Sequence, residues 1–254
     1  YSGVALIQSI WAGMEVFPAT PTLPKAPTLC RMVEPGLAEG MTDYICGHVM
    51  RYHLGIDRHI DDSANHVWNA SAPPLARDRK VAVLGLGQLG QDAAAMLKTL
   101  RFDVAGWSRT EKSGLPYPTY HGPDGLSDIL SRSEIVVTIL PNTAATRHVM
   151  NADTFALLPD GAMIINPGRG SLIDDGALLA ALDAGKLSHA TLDVFDVEPL
   201  PDDHPFWARP DITITPHIAA ETRTDGAAKV AVEQIRRLQK GQPLHYIVDH
   251  KAGY

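Results

Sequence analysis

Three short segments late in the chain combine an arginine, acidic residues and a histidine with glycines and prolines. They read NPGRG at 166–170, DVFDVEP at 193–199 and TPHIAA at 215–220. Such residues suit the reduction of a 2-keto acid, which needs a cation for the substrate carboxylate, a proton donor for the carbonyl oxygen and a source of hydride. Arg169, between two glycines, offers a bidentate clamp for the carboxylate. His217 is the candidate proton donor because histidine exchanges protons near neutral pH, and Glu198 could orient its imidazolium.

A glycine fingerprint earlier in the chain predicts the hydride source. The apolar run KVAVL at 80–84 leads into G-x-G-x-x-G and then into an alanine-rich segment, the strand–turn–helix context in which this motif binds dinucleotides. Gly85 permits the tight turn, Gly87 lets the backbone approach a diphosphate, and Gly90 lets the helix pack close to the strand. The diphosphate then meets the N-terminal amides of the helix. The predicted cofactor residues here are Gly85, Gly87, Gln88, Leu89 and Gly90.

The next predicted strand indicates which dinucleotide is preferred. NAD-selective folds carry an acid about 20 residues after the glycines, where it holds the ribose 2′-hydroxyl. Ser108 lies 23 residues after Gly85, and Asp103 comes too early for that role. A hydroxyl removes the repulsion toward a 2′-phosphate, which Arg109 can grip with its planar donors. Ser108, Arg109 and Thr110 therefore favour NADP(H), with NAD(H) possible; alternatively, Arg109 is a solvated loop residue.

The spacing of apolar runs predicts the fold that positions these residues. Strands are expected at 102–107, 135–140, 162–166, 190–194 and 212–215, separated by helices at 127–131, 144–150 and 174–184. Strand–helix alternation with buried strands is typical of an α/β fold with a doubly wound parallel sheet, a Rossmann cofactor domain. Ligands of such sheets bind at the carboxyl ends of the strands, so the three late segments should face the nicotinamide.

The first 75 residues have a different character. A strand is expected at 4–10 before a turn at Ala12 and Gly13, and the proline-rich stretch 18–35 reads as a loop. Apolar residues at helical spacing predict helices at 36–54 and 56–68. Histidines on these helices are expected at the surface or in an interface: His48, His53, His59 and His66.

Composition limits the classes of partner. With 22 Lys+Arg against 29 Asp+Glu the formal charge is −7, which disfavours nucleic acids and anionic membranes as partners. No window approaches the roughly 18 apolar residues of a membrane span, and no spacing suggests a metal site. Cys30 and Cys46 fit small buried hydrophobes better than a disulfide. The first residues lack the basic region of a secretory signal, so we expect a soluble, cytoplasmic protein.

The order of the motifs and the residues in them resemble those of the D-isomer-specific 2-hydroxyacid dehydrogenase family. The glycine fingerprint, N-x-x-R-G, D-V-x-x-x-E-P and T-P-H-x-A-A carry this resemblance, which covers essentially the whole chain. More narrowly, the chain is similar to the glyoxylate/hydroxypyruvate reductase A type. The motifs behind that likeness are WSRT at 107–110, LPNT at 140–143, LAALDAGK at 179–186 and KAGY at 251–254.

The resemblance implies roles for individual residues. Arg169, Glu198 and His217 would form the catalytic set, and Asp193 would position the nicotinamide carboxamide. The turn Trp11, Ala12 and Gly13 would hold the substrate carboxylate through backbone amides. The Trp11 indole would restrict the pocket to small acids or, alternatively, only pack at the domain cleft. Leu140 and Pro141 would join the cofactor-binding residues, and residues 36–68 would form the interface of a homodimer.

The resemblance also implies an activity and a domain organisation. We expect NADPH-dependent reduction of glyoxylate or hydroxypyruvate to the 2-hydroxy acid. The alternatives are a dehydrogenase for a larger D-2-hydroxy acid and a corepressor-like dinucleotide sensor without turnover. The expected domains are an NAD(P)-binding domain at 40–222 and a remnant of a smaller, flavodoxin-like substrate domain at 1–39 and 223–254. Because relatives carry further elements before the Trp11 turn, the first part of that smaller domain is expected to be missing.

Overall fold

The computed structural model describes residues 3–11, 13, 22–24 and 26–248 of the chain. The chain divides into two compact units. The large unit comprises residues 41–219, and the small unit comprises residues 1–40 together with 220–254. Ala12 of the predicted turn and the KAGY motif at 251–254 lie outside the described residues.

The strands and helices of the described residues alternate through most of the chain. The strands are β1 (Leu6–Gln8), β2 (Thr28–Cys30), β3 (Lys80–Leu84), β4 (Asp103–Ser108), β5 (Thr119–His121), β6 (Ile135–Thr138), β7 (Ala162–Asn166), β8 (Leu187–Leu192) and β9 (Ile212–Ile214). The helices are α1 (Pro35–Leu54), α2 (Ile56–Ala64), α3 (Gln88–Thr99), α4 (Gly122–Arg132), α5 (Ala152–Leu157), α6 (Asp175–Asp183) and α7 (Thr224–Gln239). Short 3₁₀ turns lie at Ala76–Asp78, Gly170–Leu172 and Pro205–Ala208.

The large unit is built on one parallel sheet of seven strands. Its order is β5-β4-β3-β6-β7-β8-β9, and every neighbouring pair is parallel. The order of connection reverses between β3 and β6, which creates the crevice where open α/β sheets bind ligands. The predicted doubly wound α/β fold is confirmed, and the site must be sought at the carboxyl ends of these strands.

Burial explains why the strands read as unbroken apolar runs. All four residues of β6 are buried, and four of the five in β3 are buried, because the crossover helices leave little of the sheet in contact with water. The core of the large unit joins sheet residues to residues of α4, α5 and α6, among them Leu84, Ile129, Phe155, Ile164 and Leu178. The sheet is thereby a rigid platform for the loops that follow its strands.

The small unit contains the parallel pair β1 and β2, and its apolar contacts join Leu29 and Val248 to Ile7 and Leu23. Its buried Glu34 carboxylate accepts hydrogen bonds from the amides of Gly36, at 2.8 Å, and Arg223, at 3.2 Å. This carboxylate therefore ties the beginning of α1 to the segment that precedes α7.

One predicted helix is wrong. Residues 144–150 form turns rather than a helix, and His148 has a left-handed backbone with φ of +50°. The amide of His148 donates to the Ser171 carbonyl at 2.8 Å, and the amide of Met150 donates to the Leu172 carbonyl at 3.0 Å. These amides bond to a distant segment, so they do not bond to carbonyls of their own turn.

Two expectations for the first part of the chain are also corrected. The stretch 18–35 is not entirely a loop, because β2 lies within it and pairs with β1. His53 is not a surface residue: it is 7% exposed, and its ring packs edge-on against Phe102 with 5.1 Å between centroids. Helix α1 matches its predicted range, while α2 ends at Ala64, before the predicted limit of 68. Both cysteines are free thiols.

None of the helices in the described part of the chain combines the length and apolar character needed to cross a bilayer.

Candidate active site

The three glycines of the turn after β3 differ in how closely the protein surrounds them. Gly85 has φ of +118°, and a Cβ atom there would lie 2.4 Å from the carbonyl oxygen of Ile139. A Cβ at Gly90 would lie 1.8 Å from the carbonyl oxygen of Gly85, so this glycine is needed for α3 to approach the strand. A Cβ at Gly87 would meet nothing within 4 Å. Two glycines thus allow close packing within the protein, and the third faces open space.

The N-terminus of α3 completes this cradle. The helix begins at Gln88, and Gly87 before it provides no side chain to cap the first amides. Those amides and the positive end of the helix dipole suit a diphosphate group. Leu89 is half-buried, and the side-chain Nε2 of Gln88 donates to the Asp92 carboxylate at 3.0 Å. The residues present therefore fit the dinucleotide that the motif predicts.

The residues predicted to choose the dinucleotide follow β4, directly beside this turn. The register pairs Leu84 with Trp107, which places Ser108 next to the beginning of the glycine turn. The Ser108 hydroxyl is buried and donates to the Thr110 carbonyl at 2.7 Å. Arg109 is exposed, and its guanidinium makes no hydrogen bond or ion pair with another described residue. This segment therefore presents a cation and no carboxylate at the position that NAD-selective folds fill with an acid.

Leu140 and Pro141 follow β6 on the opposite side of the same crevice. Leu140 is buried and belongs to the hydrophobic core, whereas Pro141 is exposed. The Pro141 carbonyl accepts a hydrogen bond from the Thr146 hydroxyl at 2.6 Å, which closes the turn that replaces the predicted helix. Pro141 is thus accessible and Leu140 is not, and the cofactor role of both residues stays a prediction.

The loop that carries Arg169 is held by a buried asparagine. The Asn166 side-chain oxygen accepts from the Thr138 hydroxyl at 2.9 Å and from the Gly168 amide at 3.1 Å. Its side-chain nitrogen donates to the Arg169 carbonyl at 2.9 Å. The half-buried guanidinium of Arg169 donates to the Gly168 carbonyl at 2.7 Å. The arginine backbone is therefore fixed by a side chain that belongs to β7.

His217 and Glu198 form a hydrogen-bonded pair. Nδ1 of His217 lies 2.7 Å from Oε2 of Glu198, and the other carboxylate oxygen accepts the Phe195 amide at 2.9 Å. An ionised carboxylate only accepts hydrogen bonds, so Nδ1 carries a proton and Nε2 is the free ring nitrogen. The His217 side chain is 53% exposed, so Nε2 can exchange protons with a bound molecule.

The loop that carries Arg169 and the loop that leads to Glu198 approach each other at Gly170. A Cβ at this position would lie 2.0 Å from the carbonyl carbon of Phe195. Any larger residue would push the Arg169 loop away from the loop that leads to Glu198. Glycine at 170 is therefore a packing requirement of the site.

Asp193 is fully buried, and both of its carboxylate oxygens bond within the protein. Oδ1 accepts from the Thr215 hydroxyl at 2.5 Å and from the Ile218 amide at 2.9 Å, and Oδ2 accepts from the Ala219 amide at 2.8 Å. The cofactor role that the resemblance implies for Asp193 stays a prediction. The observed bonds make it a support for the backbone on either side of Ile218.

The remaining predicted residues lie in the small unit. Trp11 is 61% exposed, and its amide donates to the Ser9 hydroxyl at 2.9 Å. Gly13 is described and Ala12 is not. The substrate role of this turn therefore stays a prediction.

Among the residues that the structure describes, no three His, Cys, Asp or Glu side chains lie close enough together to hold a metal ion.

Comparison with known proteins places this arrangement in a family. Residues 46–219 match the family described as "D-isomer specific 2-hydroxyacid dehydrogenase, NAD binding domain". The chain belongs to the D-isomer specific 2-hydroxyacid dehydrogenase family. The resemblance stated from the sequence motifs is thereby confirmed.

Individual members of this dehydrogenase family are similar over most of the chain. Glyoxylate/hydroxypyruvate reductase A of Photorhabdus laumondii is 38% identical over 232 residues, which cover 91% of this chain and 74% of that protein. A family member from Xanthobacter autotrophicus Py2, solved with NADPH and MES, is 40% identical, with a TM-score of 0.92 over 98% of this chain and 79% of that one. NADPH-dependent glyoxylate/hydroxypyruvate reductase of Sinorhizobium meliloti, solved with NADP and sulfate, is 34% identical, with a TM-score of 0.92 over 98% of this chain and 80% of that one.

Sequence reasoning missed one contact of this dehydrogenase, which joins Tyr44 to Thr215. The Tyr44 hydroxyl lies 2.7 Å from Oγ1 of Thr215, and burial raises the pKa of Tyr44, which keeps the hydroxyl protonated. Tyr44 reads in the sequence as one apolar position of α1, and Thr215 as the residue that begins the TPH motif. The only signal in the sequence is that both side chains carry a hydroxyl group. Tyr44 has it on a predicted helix, and Thr215 has it close to the predicted catalytic residue His217.

Proposed function

We propose that this dehydrogenase reduces glyoxylate or hydroxypyruvate to the 2-hydroxy acid with NADPH. The observation that carries the proposal is the pair formed by Glu198 and His217 at the carboxyl edge of the sheet that also holds the glycine turn. The names of the similar reductases from Photorhabdus laumondii and Sinorhizobium meliloti support this substrate class.

The chain's own residues would bind the substrate and move a proton. NADPH, when bound at the glycine turn, supplies the hydride that adds to the carbonyl carbon. Arg169 would pair with the substrate carboxylate and so orient the carbonyl group. Nε2 of His217, protonated before the reaction, would donate its proton to the carbonyl oxygen, which becomes the hydroxyl group of the product.

Glu198 would keep His217 ready for this step. Its carboxylate stabilises the imidazolium form and fixes the ring, because the Phe195 amide holds the carboxylate in place from its other oxygen. After the proton leaves, the remaining hydrogen on Nδ1 stays bonded to Glu198, so the neutral ring keeps its orientation for reprotonation from solvent.

NADP(H) is proposed as the preferred cofactor, with NAD(H) possible. The exposed Arg109 guanidinium suits a 2′-phosphate, and Ser108 beside the glycine turn carries no charge that would repel one. Similar structures contain NADPH or NADP. The cofactor-binding set is proposed to include Gly85, Gly87, Gln88, Leu89, Gly90, Ser108, Arg109, Thr110, Leu140, Pro141 and Asp193.

The domain roles are proposed from the resemblance. The large unit would bind the cofactor, and the small unit would contribute to substrate binding through the turn at Trp11 and Gly13. A larger D-2-hydroxy acid as substrate, or a dinucleotide sensor without turnover, are the alternative functions.

A panel assay tests the proposal. The purified protein is mixed with NADPH and, separately, glyoxylate, hydroxypyruvate, pyruvate and a branched 2-keto acid, while nicotinamide absorbance is followed. Faster NADPH consumption with the two small acids supports the proposal. Faster reaction with the branched acid would instead favour a dehydrogenase for a larger D-2-hydroxy acid. Constant absorbance with intact NADPH binding would favour a dinucleotide sensor without turnover.

We also propose that the enzyme is a cytoplasmic homodimer. Large apolar side chains lie exposed on and after α2, namely Ile60, Val67, Trp68 and Leu75, and Trp68 is 96% exposed. Several large apolar side chains exposed within one short stretch of the chain favour a protein interface there. The two free thiols are compatible with a reducing compartment. Light scattering on the wild type and on Trp68→Glu tests the dimer, and fractionation of cells tests the location.

A further inference from the structure

Tyr44 on helix α1 is connected by hydrogen bonds to the segment that carries His217. We propose that Tyr44 is a positioning residue for His217, acting through Thr215 and Asp193. The inference deepens the proposed function, on which its kinetic readout rests. All four residues belong to the large unit.

The donor and acceptor of each hydrogen bond in this series can be assigned by starting from Asp193. Asp193 accepts the Thr215 hydroxyl hydrogen at 2.5 Å, so the Thr215 oxygen must accept from its other neighbour. That neighbour is the Tyr44 hydroxyl at 2.7 Å, which therefore donates. Each donor in such a chain polarises the next, so the tyrosine strengthens the bond between Thr215 and Asp193.

Asp193 holds the backbone of His217 in a conformation that costs energy. His217 has φ of +56°, a left-handed conformation that non-glycine residues adopt at a cost of about 1 kcal/mol or more. The His217 amide donates to the Asp193 carbonyl at 2.8 Å, and the amides of Ile218 and Ala219 donate to the Asp193 carboxylate. Three consecutive amides are thus fixed by one residue.

This backbone conformation directs the imidazole toward Glu198. If Asp193 shifts or turns, the amides that it holds shift with it, and the 2.7 Å distance between His217 and Glu198 is no longer fixed. Tyr44 limits such movement, because it is half-buried on α1 and its hydroxyl donates to the Thr215 oxygen. The tyrosine acts on the reaction without touching the substrate.

The same helix provides a matched control. The Tyr52 hydroxyl lies 2.6 Å from Oγ1 of Thr191, so α1 makes a second tyrosine–threonine hydrogen bond to the sheet region. Thr191 makes no hydrogen bond with Asp193. Removing either tyrosine hydroxyl deletes the same kind of contact, but only the Tyr44 hydroxyl is connected to His217.

The first readout is kinetic. Tyr44→Phe should lower kcat with glyoxylate about fivefold and leave the KM for NADPH within about twofold, whereas Tyr52→Phe should change kcat by less than about twofold. Thr215→Val should lower kcat at least as much as Tyr44→Phe. The double variant Tyr44→Phe/Thr215→Val should be no slower than Thr215→Val alone, because the tyrosine acts through the threonine.

The second readout needs neither substrate nor cofactor. In protein labelled with ¹⁵N-histidine, the ring-nitrogen shifts of His217 at alkaline pH report which nitrogen carries the proton, and His217→Gln assigns the signals. The wild type and Tyr52→Phe should show hydrogen on Nδ1. Tyr44→Phe should show an increased share of the tautomer with hydrogen on Nε2.

These readouts separate the two claims. An unchanged tautomer in Tyr44→Phe, or a kcat equal to that of Tyr52→Phe, overturns the role of Tyr44. The role of Tyr44 is also overturned if the decreases in kcat caused by Tyr44→Phe and by Thr215→Val multiply in the double variant. If the wild type reduces no 2-keto acid, the proposed function fails, and the tautomer measurement still decides whether Tyr44 positions His217.

Discussion

Glu198 contacts His217 with one carboxylate oxygen and the backbone with the other. Oε2 lies 2.7 Å from Nδ1 of His217, and Oε1 accepts the Phe195 amide at 2.9 Å. The imidazole is therefore paired with a charge that is itself fixed, which is the arrangement a positioned proton donor requires.

Replacing Glu198 by glutamine tests the charge of this pair. Glutamine has nearly the same shape and can still accept the Phe195 amide, but it cannot stabilise the imidazolium as a carboxylate does. We expect kcat to fall by about tenfold to a hundredfold, the equivalent of a charged hydrogen bond. Steady-state kinetics measures this effect. Glu233→Gln, at an exposed position of α7, is the control and should react like the wild type; an equally active Glu198→Gln would remove Glu198 from the catalytic set.

Arg109→Asp tests the choice of dinucleotide. The exposed guanidinium lies beside the glycine turn, so a carboxylate in its place should repel a 2′-phosphate and accept a ribose 2′-hydroxyl. We expect NADPH to bind about tenfold to a hundredfold more weakly, with little change for NADH, as measured by fluorescence titration. Arg77→Asp, also exposed, serves as the charge control. Equal losses for both dinucleotides would show that Arg109 does not bind the 2′-phosphate.

Two glycines of the same turn should respond differently to alanine. A methyl group at Gly87 meets open space, so Gly87→Ala should keep the wild-type stability and lose affinity for NADPH. At Gly90 the methyl group would lie 1.8 Å from a carbonyl oxygen, so the free energy of unfolding should fall by about 2 kcal/mol or more. Urea unfolding and NADPH titration of both variants check this contrast. A Gly87→Ala variant with unchanged affinity would contradict the diphosphate site.

Buried and half-buried histidines should make the free energy of unfolding depend on pH. Burial lowers the pKa of His189, whose Nε2 lies 2.9 Å from the Thr213 hydroxyl, and also lowers the pKa of His48 and of His53. Below the ordinary histidine pKa of about 6.5 the unfolded chain takes up protons that the folded chain does not, so the free energy of unfolding should fall as the pH decreases from 7 to 5.

Urea unfolding at several pH values measures this dependence. His189→Gln should reduce the slope of unfolding free energy against pH in this window, whereas His121→Gln, at an exposed position of β5, should leave it as in the wild type. A slope that is identical in His189→Gln and the wild type would show that His189 does not contribute to it.

The fold was predictable wherever local pattern and tertiary structure agree. The strand–glycine–helix segment around Gly85 and the strand β7 lie where the sequence predicts them, because apolar runs and glycine chemistry act locally. The predicted helix at 144–150 failed because the amide of His148 bonds to Ser171, a contact that no local pattern encodes.

The candidate site was predictable as a set of residues but not as a network. Arg169, Glu198 and His217 stand in recognisable motifs, and the Glu198–His217 contact joins residues only 19 apart. The bond between Tyr44 and Thr215 spans 171 residues and depends on how α1 packs on the sheet. Burial of Asp193 likewise becomes visible only when β8 and β9 lie side by side.

The most direct test of His217 as the proton donor compares glyoxylate-dependent NADPH consumption by the wild type and by His217→Gln. Glutamine cannot donate a proton as imidazolium does, so turnover should fall by about a hundredfold or more while NADPH affinity stays within about twofold. Equal turnover of the two proteins would contradict the assignment of His217 as the proton donor.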